Sequence, residues 1–271
     1  MNPTWEQRLA HRLPPAQPFV MHQRWHHLLF LHWRFDAAVI QATLPPGLVV
    51  DTFDGSAWVA IVPFFMRGIR PRFTPNVPGI SNFLEANVRT YVHDARGRSG
   101  VWFYSLDCNQ PLAVWTARTF FSLPYHHARM CATHAPDGTI HYRSHRQRAP
   151  AGSLFTYRID SPTHPAEPGT LEFFLAERYL LFSSTVRGLR VGQVFHTPYP
   201  LASVQVPQWD AQLIALAGLP APERPPDHLI ASPGVNVRVY PLVPSTYLFH
   251  ESYPCHHLRV RVFCHRSGTR L

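Results

Sequence analysis

Phe83-Leu84-Glu85-Ala86-Asn87-Val88-Arg89-Thr90-Tyr91-Val92 is the stretch on which the reading of this chain turns. Val, Thr and Tyr favour the extended state, and side chains along a strand alternate between its two faces. One face therefore carries Glu85, Asn87, Arg89 and Tyr91. The other carries Leu84, Ala86, Val88 and Thr90. An ordinary solvated strand has this look, and so does the inner wall of a barrel that holds a polar ligand.

The sequence around this strand is that of a β-rich protein. Only 15% of its 271 residues are charged, and it has 28 prolines, which suits short strands joined by proline-punctuated turns. The 18 Phe, 10 Tyr and 7 Trp supply ample core and argue against disorder. The net charge is +9, and with no lysine anywhere all 25 cations are arginine. Compositional bias is the plainer explanation. Nucleic-acid binding is the other, but the arginines are scattered singly, with no long basic run and no Gly-aromatic signature. The densest basic stretch, Arg143 to Arg148, reads as an exposed hairpin end. The missing lysine also removes any side-chain amine that could form a Schiff base.

Cys108, Cys131, Cys255 and Cys264 show no CxxC spacing and read as reduced thiols, which points to the cytoplasm. Residues 1–20 contain no continuous apolar segment of the signal-peptide kind, and no run of membrane-spanning length occurs. The 18 histidines include the adjacent pairs His26-His27, His126-His127 and His256-His257, whose rings would point to opposite faces of a strand. Cys255 with His257 is the best local pair. No metal site and no cofactor are expected.

Taken in order, residues 3–13 suggest a short helix, 21–35 a strand, and 37–44 a helix capped by Asp36 and closed by Pro45-Pro46-Gly47. Residues 57–65 form a strand, and 67–82, rich in Pro, Gly and Arg, a long loop. The strand at 83–92 returns through a turn at 94–100 into 101–106. A helix starting at Pro111 follows, then strands near 124–130, 139–144, 154–159, 180–183, 189–196, 201–208 and 234–240. Short helices are expected near 169–176 and 211–217. This gives an N-terminal arm (1–20), one barrel-like α+β domain (21–245), and a tail (246–271) packed on the barrel, with a further strand near 258–263.

Several motifs together carry a resemblance: Leu44-Pro45-Pro46-Gly47-Leu48, Trp58 to Phe65, Phe83 to Val92, Val101 to Asp107, Ala117 to Tyr125, Phe174 to Tyr179 and His196 to Leu201. The chain resembles the YqjF-like family of uncharacterised bacterial proteins, which is similar in fold to acetoacetate decarboxylase. That resemblance implies a β-barrel or cone around a central cavity, with a few short peripheral helices. The decarboxylase uses a Schiff-base lysine in a Pro-Lys context. Here the similar segment is Leu123-Pro124-Tyr125-His126, with a tyrosine where the amine would stand. The fold is thus implied and the imine chemistry is not. The resemblance also implies a cavity glutamate, matched by Glu85, and an arginine, for which Arg89, Arg118 and Arg34 are candidates.

Glu85 and Tyr125 are accordingly the candidate catalytic groups, one a general base and one a hydrogen-bond donor to a carbonyl. Asn87, Arg89, Arg118 and His196 are the candidate ligand-binding groups. Each has a plainer reading: an inward polar network for Glu85, Asn87 and Arg89, a satisfied buried phenol for Tyr125, a snorkelling side chain for Arg118, and a surface turn for His196. Arg178 reads as a partner in a structural ion pair. The expectation is a protein that binds a small carboxylate- or carbonyl-bearing molecule, with lyase- or isomerase-type chemistry independent of an imine. A non-catalytic sensor or carrier is the alternative, and homo-oligomerisation is left open.

Overall fold

The computed structural model describes residues 2–246. After helix α1 (Trp5–Leu9) come strand β1 (Met21–Phe35), helix α2 (Ala37–Gln41) and strands β2 (Leu48–Val50), β3 (Ala57–Pro71), β4 (Phe83–Asp94) and β5 (Ser99–Cys108). Helix α3 (Pro111–Phe120) leads to β6 (Tyr125–His134), β7 (Ile140–Arg146) and β8 (Ser153–Ile159). Then come α4 (Leu171–Ala176), β9 (Leu180–Thr185), β10 (Gly188–Phe195), β11 (Val204–Gln208), α5 (Gln212–Leu216), β12 (His228–Val239) and β13 (Val243–Pro244). The helices start where local chemistry supplies caps. Asp36 accepts from the Ala38 amide at 2.7 Å, Gln110 caps α3 ahead of Pro111, and Thr170 caps α4.

The strands pair in the order β5-β9-β10-β12-β1-β3-β4, and β4 pairs with β5 again, so the ring of pairings closes. The seam between β5 and β9 is parallel and short, joining Val101 to Leu181 and Trp102 to Phe182. At that seam a Cβ on Gly100 would stand 2.6 Å from the Leu180 carbonyl oxygen, so only glycine lets the two backbones approach. Gly100→Ala is expected to destabilise the fold by about 1–3 kcal/mol, as overpacking against backbone does. Equal denaturation midpoints for the two proteins would show that the seam can yield.

Beyond the ring, β5 pairs in parallel with β6 from Leu106–Tyr125 to Cys108–His127, and the antiparallel run β6-β7-β8-β11 forms a second sheet layer against the outside of the ring. Its Ile140, Tyr142, Phe155 and Tyr157 pack with Leu29 and Leu31 of β1, Ile61 and Phe65 of β3, and Leu84, Ala86 and Val88 of β4. The opposite faces of the same strands, with Leu28, Phe30, Val62, Phe64 and Phe83, form a separate inner cluster. All twelve residues of β4 are buried: Leu84, Ala86 and Val88 under the second sheet, Glu85, Asn87 and Arg89 towards the ring interior, and Tyr91 and Val92 in two smaller clusters, with Phe174 and with Leu180 and Phe182.

Several sequence expectations shift. The loop at 67–82 is shorter, because β3 continues to Pro71 and pairs with β1 from Met21 to Arg24. Strand β12 starts at His228 rather than Gly234. Within 143–148, Arg146 is buried, its Nε 2.8 Å from Asp107 Oδ1 and its Nη2 2.9 Å from Ser105 Oγ. The N-terminal arm is pinned: Arg8 pairs with Asp51, and Gln193 Nε2 donates to the carbonyls of His11 and Leu13 at 3.0 Å. The expected strand at 258–263, the tail and the Cys255/His257 pair lie outside the described residues. Among those described, no helix is long and apolar enough to cross a membrane.

Candidate functional site

The ring encloses a cavity of about 320 Å³. Most of its wall is apolar, including Leu28, Val62, Phe64, Met66, Phe83 and Leu106. Pro71, Ile80 and Leu112 also line it and are exposed, which places the opening between the end of β3, the 72–82 loop and α3. Gln110 Nε2 donates to the Gly79 carbonyl at 2.6 Å and ties that loop to the helix. Glu85, Asn87 and Arg89 of β4 all face the cavity, as their alternation requires.

Glu85 and Tyr125 meet there, the phenol donating to Glu85 Oε2 at 2.8 Å. The Glu85 backbone is fixed from outside, where Tyr142 Oη donates to its carbonyl oxygen at 2.8 Å. Burial pushes the Glu85 carboxyl up to about 7, against hydrogen bonds from Tyr125 and Asn87 that favour the ionised form. Near neutral pH it is divided between its two protonation states. Burial and the Glu85 charge push the Tyr125 phenol well above its ordinary value, so it keeps its proton. Cys108 stands opposite Glu85 in the β4–β5 register. Burial and Glu85 push its thiol up to about 12, which makes it a poor nucleophile at neutral pH. Tyr125→Phe removes a bond to the ionised carboxylate, so the Glu85 titration is expected to move above about 7, as read by carboxyl carbon NMR. A downward move would show that this bond favours the protonated acid instead.

Arg89 is 8% exposed, and its Nη2 donates to the Leu175 carbonyl at 3.3 Å. Its guanidinium lies 5.4 Å from the Phe30 ring and 5.8 Å from the Tyr91 ring. Among the described residues its Nε has no hydrogen-bond partner, and no carboxylate lies within ion-pair distance.

Residues 22–236 match the family model DUF2071, described as an uncharacterized conserved protein. The chain belongs to this family. It is 35% identical over 191 residues to the uncharacterized protein YqjF of Bacillus subtilis (strain 168), covering 70% of this chain and 78% of that one. Among solved structures, it is similar to the acetoacetate decarboxylase of Legionella pneumophila, with a TM-score of 0.56 at 12% identity over 90% of this chain and 96% of that one. An acetoacetate decarboxylase-like enzyme from Sphingomonas wittichii RW1 gives 0.56 at 14% identity over 86% and 97%. At such identities the likeness shows the fold, which is the β-rich decarboxylase-like architecture with few short helices.

The DUF2071 cavity brings together Glu85, Asn87, Arg89 and Tyr125, but not the other two candidates. Arg118 is exposed and lies on the outer side of α3 near Trp115 and His127. The helix turns Ala113, Thr116 and Ala117 to the cavity, and Arg118 sits about 100° past Ala117. Arg34 is likewise exposed, over the Trp58 ring. His196 is 1% exposed rather than on a surface turn, stacked on Tyr179 at 4.8 Å and close to Tyr199 and Trp25. Trp25 and Tyr199 line the cavity and His196 lies behind them. Tyr91, on the same β4 face as Glu85, also stops short of the lining, its hydroxyl 3.0 Å from His32 Nε2.

Sequence reasoning missed Arg178 as a cavity residue. Its Nη1 donates to Asp51 at 2.8 Å and its Nε to the Phe174 carbonyl at 2.7 Å, while Nη2 is buried without a partner among the described residues. It lines the cavity as well. Burial lowers its pKa to about 10, so it stays protonated at neutral pH. No group of three potential metal ligands occurs among the described residues.

Burial also holds three histidines of this DUF2071 protein, His11, His27 and His196, down at about 4. Their folded-state pKa values lie below the ordinary 6.5. Their contribution is therefore present above that value and is lost as the pH falls towards 4. The melting temperature is expected to drop across that window. A constant melting temperature there would mean that these rings gain no protons on unfolding.

Proposed function

We propose that this protein binds a small carbonyl- or carboxylate-bearing molecule in the cavity and moves a proton beside its carbonyl. Glu85 is the general acid–base and Tyr125 the donor to the carbonyl oxygen. The observation that carries this reading is a buried carboxyl, pushed up to about 7, that faces the cavity with a protonated phenol bonded to it. Ionised Glu85 takes the proton from the carbon next to the carbonyl and the electron pair moves into an enolate; the Tyr125 O–H, released from the now protonated Glu85, turns to donate to the enolate oxygen. Glu85 then returns the proton to the same or a neighbouring carbon, with no net oxidation. An imine on a side-chain amine plays no part, since the sequence contains no lysine.

A panel of small ketones and oxo acids in heavy water tests this directly. Proton NMR should show loss of the signals next to the carbonyl with the native protein, and no loss with Glu85→Gln. Binding without any exchange would make the cavity that of a carrier. Exchange that survives Glu85→Gln would remove Glu85 from its role.

A further inference from the structure

The cavity has two chemically distinct poles. Glu85 lies with Tyr125 and Cys108 at the end where β4, β5 and β6 meet. Arg89 lies four residues along the same strand, about 13 Å away between Cα atoms at roughly 3.3 Å per residue. Its guanidinium is held at that far end, bonded to the Leu175 carbonyl and packed on Phe30 and Tyr91. Arg178 shares the pole, 5.1 Å from the same Tyr91 ring. The charges agree with this separation. Arg89 acts on Tyr91, His32, His196 and Tyr199, whereas Glu85 is governed by burial, Tyr125 and Asn87. Between the poles stands Asn87, with its Oδ1 unpartnered among the described residues.

Both cations present a buried N–H that nothing in the described residues accepts: Nε of Arg89 and Nη2 of Arg178. Asp51 is shared by Arg178 and Arg8, so it leaves the pole with a surplus of positive charge. A buried guanidinium without a counter-charge is costly, and an anion arriving between the two would offset that cost.

We infer that the natural ligand is a keto acid whose carboxylate docks at Arg89 and Arg178 and whose carbonyl, several carbons away, reaches Glu85 and Tyr125. This rests on the proton-transfer reading above and narrows it to a substrate class. A 2-oxo acid carries its carboxylate on the carbonyl carbon and cannot touch both poles at once. The methylenes of a longer spacer match the apolar wall between them.

Two isomers separate the possibilities: 2-oxohexanoate and 5-oxohexanoate share formula, charge and size and differ only in carbonyl position. Calorimetric titration should show 5-oxohexanoate binding at least about tenfold more tightly, with deuterium entering next to its carbonyl. Arg89→Met should reduce its affinity towards that of the neutral hexan-2-one by at least about tenfold, Arg178 remaining, while leaving hexan-2-one binding in place, a control that also reports an intact cavity. The isomer comparison on the native protein stands whether or not that variant folds. If 2-oxohexanoate binds and exchanges as well as its isomer in a Glu85-dependent way, proton transfer stands and the two-pole assignment falls. If neither isomer nor hexan-2-one binds, both fall.

Discussion

Replacing Asp51 by Asn is expected to destabilise the fold by roughly 3–5 kcal/mol, the usual loss when one partner of a buried ion pair is removed. Asp51 is 0% exposed and bridges Arg8, 6% exposed, and Arg178, 6% exposed. Burial pushes its carboxyl up, but the Arg178 and Arg8 charges and hydrogen bonds outweigh this and hold it below the ordinary carboxylate range. Asparagine keeps the shape but leaves two buried guanidinium groups with no counter-charge from this residue. Arg8→Met should cost less, because the Arg178–Asp51 pair survives and the aliphatic chain still packs near Trp5 and Phe174. Chemical denaturation decides the matter: a loss under about 1 kcal/mol for Asp51→Asn would falsify the triad as a structural anchor.

Glu85→Gln is expected to change both stability and chemistry, in opposite senses. The folded-state pKa of Glu85 sits above its ordinary 4.5, at about 7. Its stabilising contribution is thus full below about 4.5 and is lost as the pH rises towards 7. At pH 8 the buried carboxylate costs the native state about 3 kcal/mol relative to acid conditions, and Gln avoids that cost while still accepting from Tyr125. The variant should therefore be more stable than the native protein in mild alkali and nearly equal to it near pH 5. Proton exchange on a keto-acid probe should fall by about 10²–10⁴-fold, the span typical of a lost general base. Parallel stability curves for the two proteins from pH 5 to 8 would show that Glu85 does not titrate in this window.

Much of this site was legible in one strand, because a period of two is strict. Once Phe83 to Val92 is read as extended, Glu85, Asn87 and Arg89 must share a face. The sequence does not show what covers each face. The outer cover comes from β7 and β8, whose Tyr142 and Tyr157 are placed by tertiary packing alone. Arg118 misled because a hydrophobic run on a helix does not say which flank is buried, and α3 leaves Leu112, Trp115 and Phe120 exposed. His196 misled because Thr197-Pro198 suggests a surface turn, whereas Tyr179, Tyr199 and Trp25 close over the ring. The Asp51 triad had no local signal, since its partners lie 43 and 127 residues away. Residues 67–71 looked like loop from their Pro, Gly and Arg content, and pairing with β1 overrode that composition.

The closed ring also bears on how the chain reaches its native state. Met21 pairs with Val239, so the first strand of the ring waits for nearly the last one. A nascent polypeptide leaving the ribosome must carry β1, with Leu28, Leu29, Phe30 and Leu31, unpaired on this edge until β12 arrives to zip against it, 218 residues separating Met21 from Val239. Closure between such distant segments is entropically slow, so refolding should take milliseconds to seconds, with an aggregation-prone open sheet as the species that chaperones would meet.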